Sequence, residues 1–288
     1  MLKRNVAVIR ADRPVPERRW IRTMTQAQDS NAFSRDVLSK VPAVTLGFWL
    51  IKILATTLGE TGGDTVSMTL KLGYLTGTAI FAAILVLLVI VQVRARRFHP
   101  LLYWATIIAS TTAGTTLADY VTRSLGLGYT GGSALLLTAV LASLAVWKLT
   151  VGSVSSDHVA EPRVELFYWL TITLSQTLGT ALGDWTADTG GLGYLGAAVV
   201  FGALLAVVAG LALWTRINRV VLFWAAFILT RPLGAVVGDF LDKPLDHGGL
   251  ALSRPLASAV LAAVILVLIL VLPQRSGSHP RAGSQSVA

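Results

Sequence analysis

The chain has 288 residues, of which 54% are hydrophobic and only 14% are charged, against roughly 25% charged residues in an average soluble protein. So apolar a chain has too little polar surface to cover itself in water, which excludes a soluble globular protein and makes lipid the expected solvent. The absence of cysteine excludes disulfides and thiolate metal sites, and the net charge of +9 comes largely from basic tails and loops.

The segments in chain order predict an all-α, polytopic membrane protein with eight transmembrane helices. Residues 1–40 hold nine Lys/Arg and no apolar run that could serve as a signal peptide, so they are predicted to form a basic cytoplasmic tail. Apolar segments near the roughly 20 residues needed to cross a bilayer then follow. The predicted helices are 43–63, 72–93, 101–119, 128–148, 165–184, 192–214, 220–239 and 252–272.

The membrane part is predicted to fall into two halves. Residues 41–149 carry the first four helices, 150–164 form a cytoplasmic linker, and 165–273 carry the last four. Residues 274–288 form a short polar cytoplasmic tail.

Four segments of the chain align without a gap, so the helices come as four two-helix repeats. The aligned segments are 48–64, 103–119, 168–184 and 223–239. Counting from the tryptophan of each repeat as position 0, a glycine stands at +10 and an aspartate at +15. A Gly-Tyr pair follows nine residues later in the first three copies, and Gly249-Leu250 takes its place in the fourth. Each repeat crosses twice, so all four are predicted to be parallel.

The aromatic-Trp start, the T-x-G-[ET]-x-x-[GA]-D core and the trailing L-G-Y resemble the four-fold tandem repeat of the DUF347 family of bacterial integral membrane proteins. The resemblance covers about residues 40–273 and includes K-V-P-A-V-T at 40–45 and T-R-P-L-G at 230–234. It implies the repeat architecture; the family has no established activity, so no chemistry follows from it.

The distribution of Lys/Arg predicts the orientation. Eighteen lie in the tails and in the loops after helices two, four and six, and four lie in the opposite loops. The positive-inside rule then places both termini in the cytoplasm, as expected of a bacterial inner-membrane protein.

The odd-numbered helices carry every ionisable residue predicted to lie within the membrane, and positions +7, +8, +11 and +15 share one helical face. Cation-binding or pathway candidates on this face are Asp64, Asp119, Asp184, Asp239, Glu60, Thr57, Thr112 and Thr177. Two basic residues, Lys52 and Arg231, are predicted to balance charge. The small-xxx-small pattern at +10 and +14 predicts close helix packing through Gly59, Gly63, Gly114, Gly179, Gly183, Gly234 and Gly238. The tryptophans Trp49, Trp104, Trp169 and Trp224 are predicted to be interface anchors.

Structural interpretations of the same residues stay open. A threonine in a membrane helix often bonds to its own backbone, and an aspartate at a helix end can cap the turn. Lys52 could pair with Glu60, and Arg231 with Asp239, because each pair is eight residues apart along its own helix.

We expect a transporter or channel for a hard cation, namely a divalent metal, sodium or a proton, because the predicted path is lined by oxygens and net negative. The alternative is a structural or sensory membrane protein whose polar stripes only pack the helices. No hydrolase, zinc-protease or phosphate-loop motif is present, so no enzyme is expected. The expected partners are the lipid bilayer and a small cation, with no cofactor and no nucleic acid.

Overall fold

A computed structural model describes residues 40–95, 97–154 and 161–277. The predicted basic tail, apart from its last residue, lies outside this part of the chain, as do residues 155–160 of the linker and 278–288 of the C-terminal tail.

Eight long helices account for most of the described residues. They are α1 (Leu46–Asp64), α2 (Tyr74–Arg94), α3 (Pro100–Asp119), α4 (Gly128–Val151), α5 (Pro162–Asp184), α6 (Gly193–Trp214), α7 (Arg219–Asp242) and α8 (Arg254–Val271). Every end lies within three residues of its predicted position, so the prediction of eight helices from four two-helix repeats is confirmed.

Local chemistry sets several of these ends. Thr45 caps α1 by accepting a hydrogen bond from the backbone N–H of Phe48 at 3.2 Å. Prolines stand in the first turn of α3, α5 and α8, where the missing N–H is not needed. In the first three repeats a π-helical turn follows the odd helix, at Thr65–Thr69, Tyr120–Ser124 and Trp185–Thr189. The fourth repeat lacks this turn and has a 3₁₀ turn at Leu245–His247 instead, which matches its missing Gly-Tyr pair.

The odd helices form a closed ring in the order α1, α3, α5, α7, with α7 packed against α1. Each even helix packs mainly against the odd helix of the next repeat: α2 on α3, α4 on α5 and α6 on α7. The last even helix, α8, packs on α1 and closes the circle. The four repeats are therefore related cyclically, with the odd helices as the inner layer and the even helices outside them.

Five of the described helices, α2, α4, α6, α7 and α8, are long and apolar enough to cross a membrane. The outer layer exposes large apolar side chains such as Leu87, Val199 and Leu270. The polar residues of α1, α3 and α5 are enclosed in the ring, which explains why these helices are less apolar. A continuous apolar surface around a polar interior is consistent with a multi-pass membrane protein.

Candidate functional site

The four +10 glycines are the points at which the ring closes. A Cβ at each would lie 3.0 Å or less from the +7 side chain of the next repeat. The pairs are Gly59 with Thr111, Gly114 with Gln176, Gly179 with Arg231, and Gly234 with Thr56. The +7 side chains (Thr56, Thr111, Gln176 and Arg231, hereafter the +7 layer) are thereby brought to one level inside the ring.

The +14 positions repeat this arrangement one turn further along. A Cβ on Gly63 would lie 3.0 Å from Thr115, one on Gly183 3.2 Å from Ala235, and one on Gly238 2.7 Å from Glu60. These contacts bring a second level together, hereafter the +11 layer (Glu60, Thr115, Thr180 and Ala235). At these small residues, the polar side chains of one odd helix pack directly against the backbone of the neighbouring odd helix.

The four aspartates of the predicted site lie at one end of the ring, hereafter the +15 layer (Asp64, Asp119, Asp184 and Asp239). Two basic side chains link them in pairs. Arg123 lies 3.2 Å from Asp119 and 3.2 Å from Asp184. Lys243 lies 2.9 Å from Asp64 and 3.0 Å from Asp239. All four carboxylates are buried and lie on the same side of the bundle.

Lys243 sits in the most acidic part of this layer. Its burial works against a charged ammonium, but Asp239, Asp64 and Asp242 together raise the pKa of Lys243 above its usual value. Oxygens of these three buried aspartates lie within 4.8 Å of one another, so they could also hold a metal ion. Arg254 pairs with Asp242 at 3.2 Å.

The +11 layer contains an ion pair between the first and fourth repeats. Arg231 Nη2 lies 2.9 Å from Glu60 Oε2 and also donates to Thr115 Oγ1 at 2.5 Å and to Thr180 Oγ1. This corrects the alternative in which Arg231 pairs with Asp239 along its own helix. The packing of the ring brings Glu60 closer to Arg231 than Asp239 is along the helix. Asp239 pairs instead with Lys243.

Lys52 does not pair with Glu60, which corrects the other same-helix alternative. Its ammonium lies 3.4 Å from Gln176 Oε1 and 4.2 Å from the centre of the Phe227 ring. The side chain is fully buried, and no carboxylate forms an ion pair with it among the described residues. Of the two basic residues predicted to balance the carboxylates, Arg231 therefore does so and Lys52 does not.

The predicted threonines are occupied locally. Thr57, Thr112 and Thr177 donate to backbone carbonyls four residues earlier, at 3.1, 2.8 and 2.9 Å. This is the self-bonding that the structural interpretation predicts. Two threonines of the +11 layer, Thr115 and Thr180, instead accept hydrogen bonds from Arg231 across the ring.

The end opposite the aspartates is filled by aromatic rings. The aromatic residue before each tryptophan packs on the tryptophan of the next repeat, as Phe48 does on Trp104 at 5.5 Å and Tyr103 on Trp169 at 5.7 Å. Trp104, Trp169 and Trp224 are buried, and Trp49 is partly buried. Their main contacts are with neighbouring repeats inside the protein, and their role as interface anchors stays a prediction.

Sequence reasoning assigned Arg123, Lys243 and Arg254 to loops, whereas they turn inwards to the +15 layer. The signal was present at position +19, where Arg123 and Lys243 stand one turn beyond an aspartate in alternate repeats. In two of the three Gly-Tyr pairs the tyrosine contacts the same basic residue: Tyr74 and Tyr129 accept hydrogen bonds from Arg123 at 3.0 and 3.2 Å.

These basic residues change the expected charge of the interior. The residues that the sequence predicts to line the path are five carboxylates with Lys52 and Arg231, which together carry a net charge of −3 when all are ionised. Adding Asp242, Arg123, Lys243 and Arg254 leaves six carboxylates against five basic side chains. The interior is therefore close to neutral. Acidic groups are in excess at the +15 end, and basic groups are in excess deeper in the ring, where Lys52 and Arg231 face Glu60 alone.

The four repeats found in the sequence correspond to a known family model. That model, described as a repeat of unknown function, DUF347, matches residues 47–98, 102–153, 167–218 and 222–276. No curated protein and no solved structure matches the chain. Each match begins at an odd helix and extends through the following even helix, so the chain belongs to the DUF347 family and carries four tandem copies of its repeat.

Proposed function

We propose that this protein is a membrane transporter for a hard cation, namely a divalent metal, sodium or a proton, with its path along the axis of the odd-helix ring. The four carboxylates of the +15 layer would bind the ion first, and Glu60 in the +11 layer would bind it further along the axis. Oxygen ligands of this kind suit hard cations.

The observation that carries this proposal is that each carboxylate of the ring is held by a basic side chain on a flexible stem. Arg123 and Lys243 each bridge two aspartates, and Arg231 holds Glu60. Burying charged side chains among apolar helices costs free energy, and small residues alone are enough to pack helices closely. The buried charges are therefore expected to serve a purpose other than packing. A basic side chain can neutralise a cation site while it is empty and withdraw when the ion arrives, which favours an alternating transporter over an open channel.

We further propose that all eight helices cross the bacterial inner membrane with both termini in the cytoplasm. The excess of Lys/Arg on the side of the termini supports this orientation. The chain has no cysteine, so single cysteines can report sidedness. A membrane-impermeant maleimide applied to intact spheroplasts should label Leu245→Cys, after α7, and should not label Ile217→Cys, before it. Labelling with the opposite sidedness would overturn the orientation.

A structural role is the second candidate, and two observations favour it. The predicted threonines bond to their own helices, and aromatic side chains fill the end opposite the aspartates. In that case the ion pairs would only join the repeats, and removing a charge would change folding without any ion flux to lose.

Asp119→Asn should separate these candidates. Asparagine keeps the shape of the side chain but removes the charge that a cation needs, so we expect cation flux in proteoliposomes to fall at least about tenfold, equivalent to roughly 1.4 kcal/mol. The variant should still insert and fold, because Arg123 retains Asp184 as a partner.

Asp246→Asn is the matched control, because Asp246 is exposed and lies outside the ring. It should leave flux unchanged. Full flux in a well-folded Asp119→Asn protein would exclude this carboxylate from the transport path.

A further inference from the structure

We propose that the +7 layer, together with Lys52, binds a small monovalent anion such as chloride in the middle of the ring. This site lies deeper along the axis than the aspartates of the +15 layer, and it shares Arg231 with the ion pair to Glu60.

The first observation is a set of buried polar atoms on the side chains of the +7 layer. Thr111 Oγ1, Gln176 Nε2, and Nε and Nη1 of Arg231 have no hydrogen-bond partner among the described residues. All three residues are fully buried. They belong to three successive repeats at the same position, so the cyclic packing of the ring places them around one axis. Thr56, the fourth member, donates to carbonyl oxygens and is satisfied.

The second observation is the burial of Lys52, whose amino group would supply the positive charge of the site. Its ammonium meets this layer through Gln176 Oε1 and packs on the face of Phe227. An ammonium has three donors, and these contacts occupy only part of them. Buried charges in proteins are almost always paired, yet Lys52 has no carboxylate partner in the described part of the chain.

The chemistry of the layer selects the class of ligand. The groups that have donor capacity left are the Lys52 ammonium, the amide N–H₂ of Gln176, two guanidinium N–H groups of Arg231 and the hydroxyl of Thr111. The one negative charge near Arg231 belongs to Glu60, which already holds Arg231 through Nη2. One positive charge is therefore left over, and a single monovalent acceptor without protons of its own would balance it.

The close packing of the odd helices at the +7 layer limits the size of the ligand. The +7 side chains lie against glycines at distances that leave no room for a Cβ, so the helices are held close together at this level. Close packing of this kind favours a compact halide over a phosphate or an organic carboxylate, because each additional oxygen would need its own space and its own donor.

Radiolabelled chloride binding to the purified full chain in detergent tests the proposal. We expect saturable binding of one ion per chain that bromide displaces and gluconate does not. Lys52→Met keeps a long stem and removes the charge, so it should weaken binding at least tenfold. Lys148→Met, at an exposed lysine of α4, is the matched control and should bind chloride as the wild type does.

A second variant tests the proposal independently in case Lys52→Met does not fold. Thr111→Val keeps the shape packed against Gly59 and removes only the hydroxyl, so it should fold and bind chloride several-fold more weakly. A chloride-dependent rise in the thermal unfolding temperature, measured against gluconate at equal ionic strength, should be lost in the same variants. The proposal is overturned if the wild type shows no saturable binding, or if Lys52→Met and Lys148→Met bind equally.

Discussion

Glu60→Gln should destabilise the protein by about 3–5 kcal/mol, the usual cost of breaking a buried ion pair from one side. The variant leaves the Arg231 guanidinium inside the ring without a charged partner, with neutral acceptors alone: the new amide oxygen and the hydroxyls of Thr115 and Thr180. Arg231→Met should cost a similar amount, because it leaves the Glu60 carboxylate buried without its basic partner. Methionine keeps the part of the side chain that packs on Gly179, so the loss would be electrostatic. Thermal or denaturant unfolding in detergent measures both changes.

The double variant Glu60→Gln/Arg231→Met removes both charges together and should be less destabilised than either single variant. The same double variant should fold but lose cation flux, since the proposed path then has no charge at this level. Additive losses of stability would show that the two residues do not interact. Retained wild-type flux in a folded double variant would show that the pair serves only to join the first and fourth repeats.

Gly234→Ala is expected to have the largest effect among the packing glycines. Its Cβ would lie 2.9 Å from the backbone carbonyl carbon of Thr56 and closer still to the Thr56 side chain. Backbone atoms of α1 cannot move aside without opening the contact between α7 and α1 that closes the ring. Overpacking of this kind costs about 1–3 kcal/mol and occasionally more, and we expect the upper end or beyond.

Gly202→Ala provides the matched control, because its Cβ would meet nothing within 4 Å on α6. It should be neutral or slightly stabilising, since alanine is a better helix former than glycine by about 1 kcal/mol. Equal unfolding temperatures for the two variants would contradict the close approach of α7 to α1.

The architecture could be predicted from sequence because it depends on periodic signals. The apolar segments and the four tryptophans gave the number of helices, and the small residues at +10 and +14 gave the faces that pack. Periodicity within one helix does not, however, say which neighbour meets it. The pairing of each even helix with the next repeat, and the closure of α8 on α1, are properties of the ring.

The same limit explains the errors at the candidate site. Lys52 and Glu60 share a helical face, as do Arg231 and Asp239, so pairing along the helix was a reasonable hypothesis. In the folded protein Gly179 and Gly238 bring α7 so close to its neighbours that Arg231 reaches Glu60 instead. Arg123 was counted as a loop residue because it follows the end of α3, but the π-helical turn directs it back to the aspartates.

Cation flux through the purified wild-type protein in proteoliposomes tests the central claim most directly. Protons, sodium, magnesium, manganese and calcium would each be offered across an imposed gradient, with protein-free liposomes as the baseline. The account predicts saturable flux of at least one of these cations above the baseline, and its loss in Asp119→Asn but not in Asp246→Asn. Baseline flux for every cation, with the protein correctly folded and inserted, would contradict the account and leave the ion pairs with a structural role.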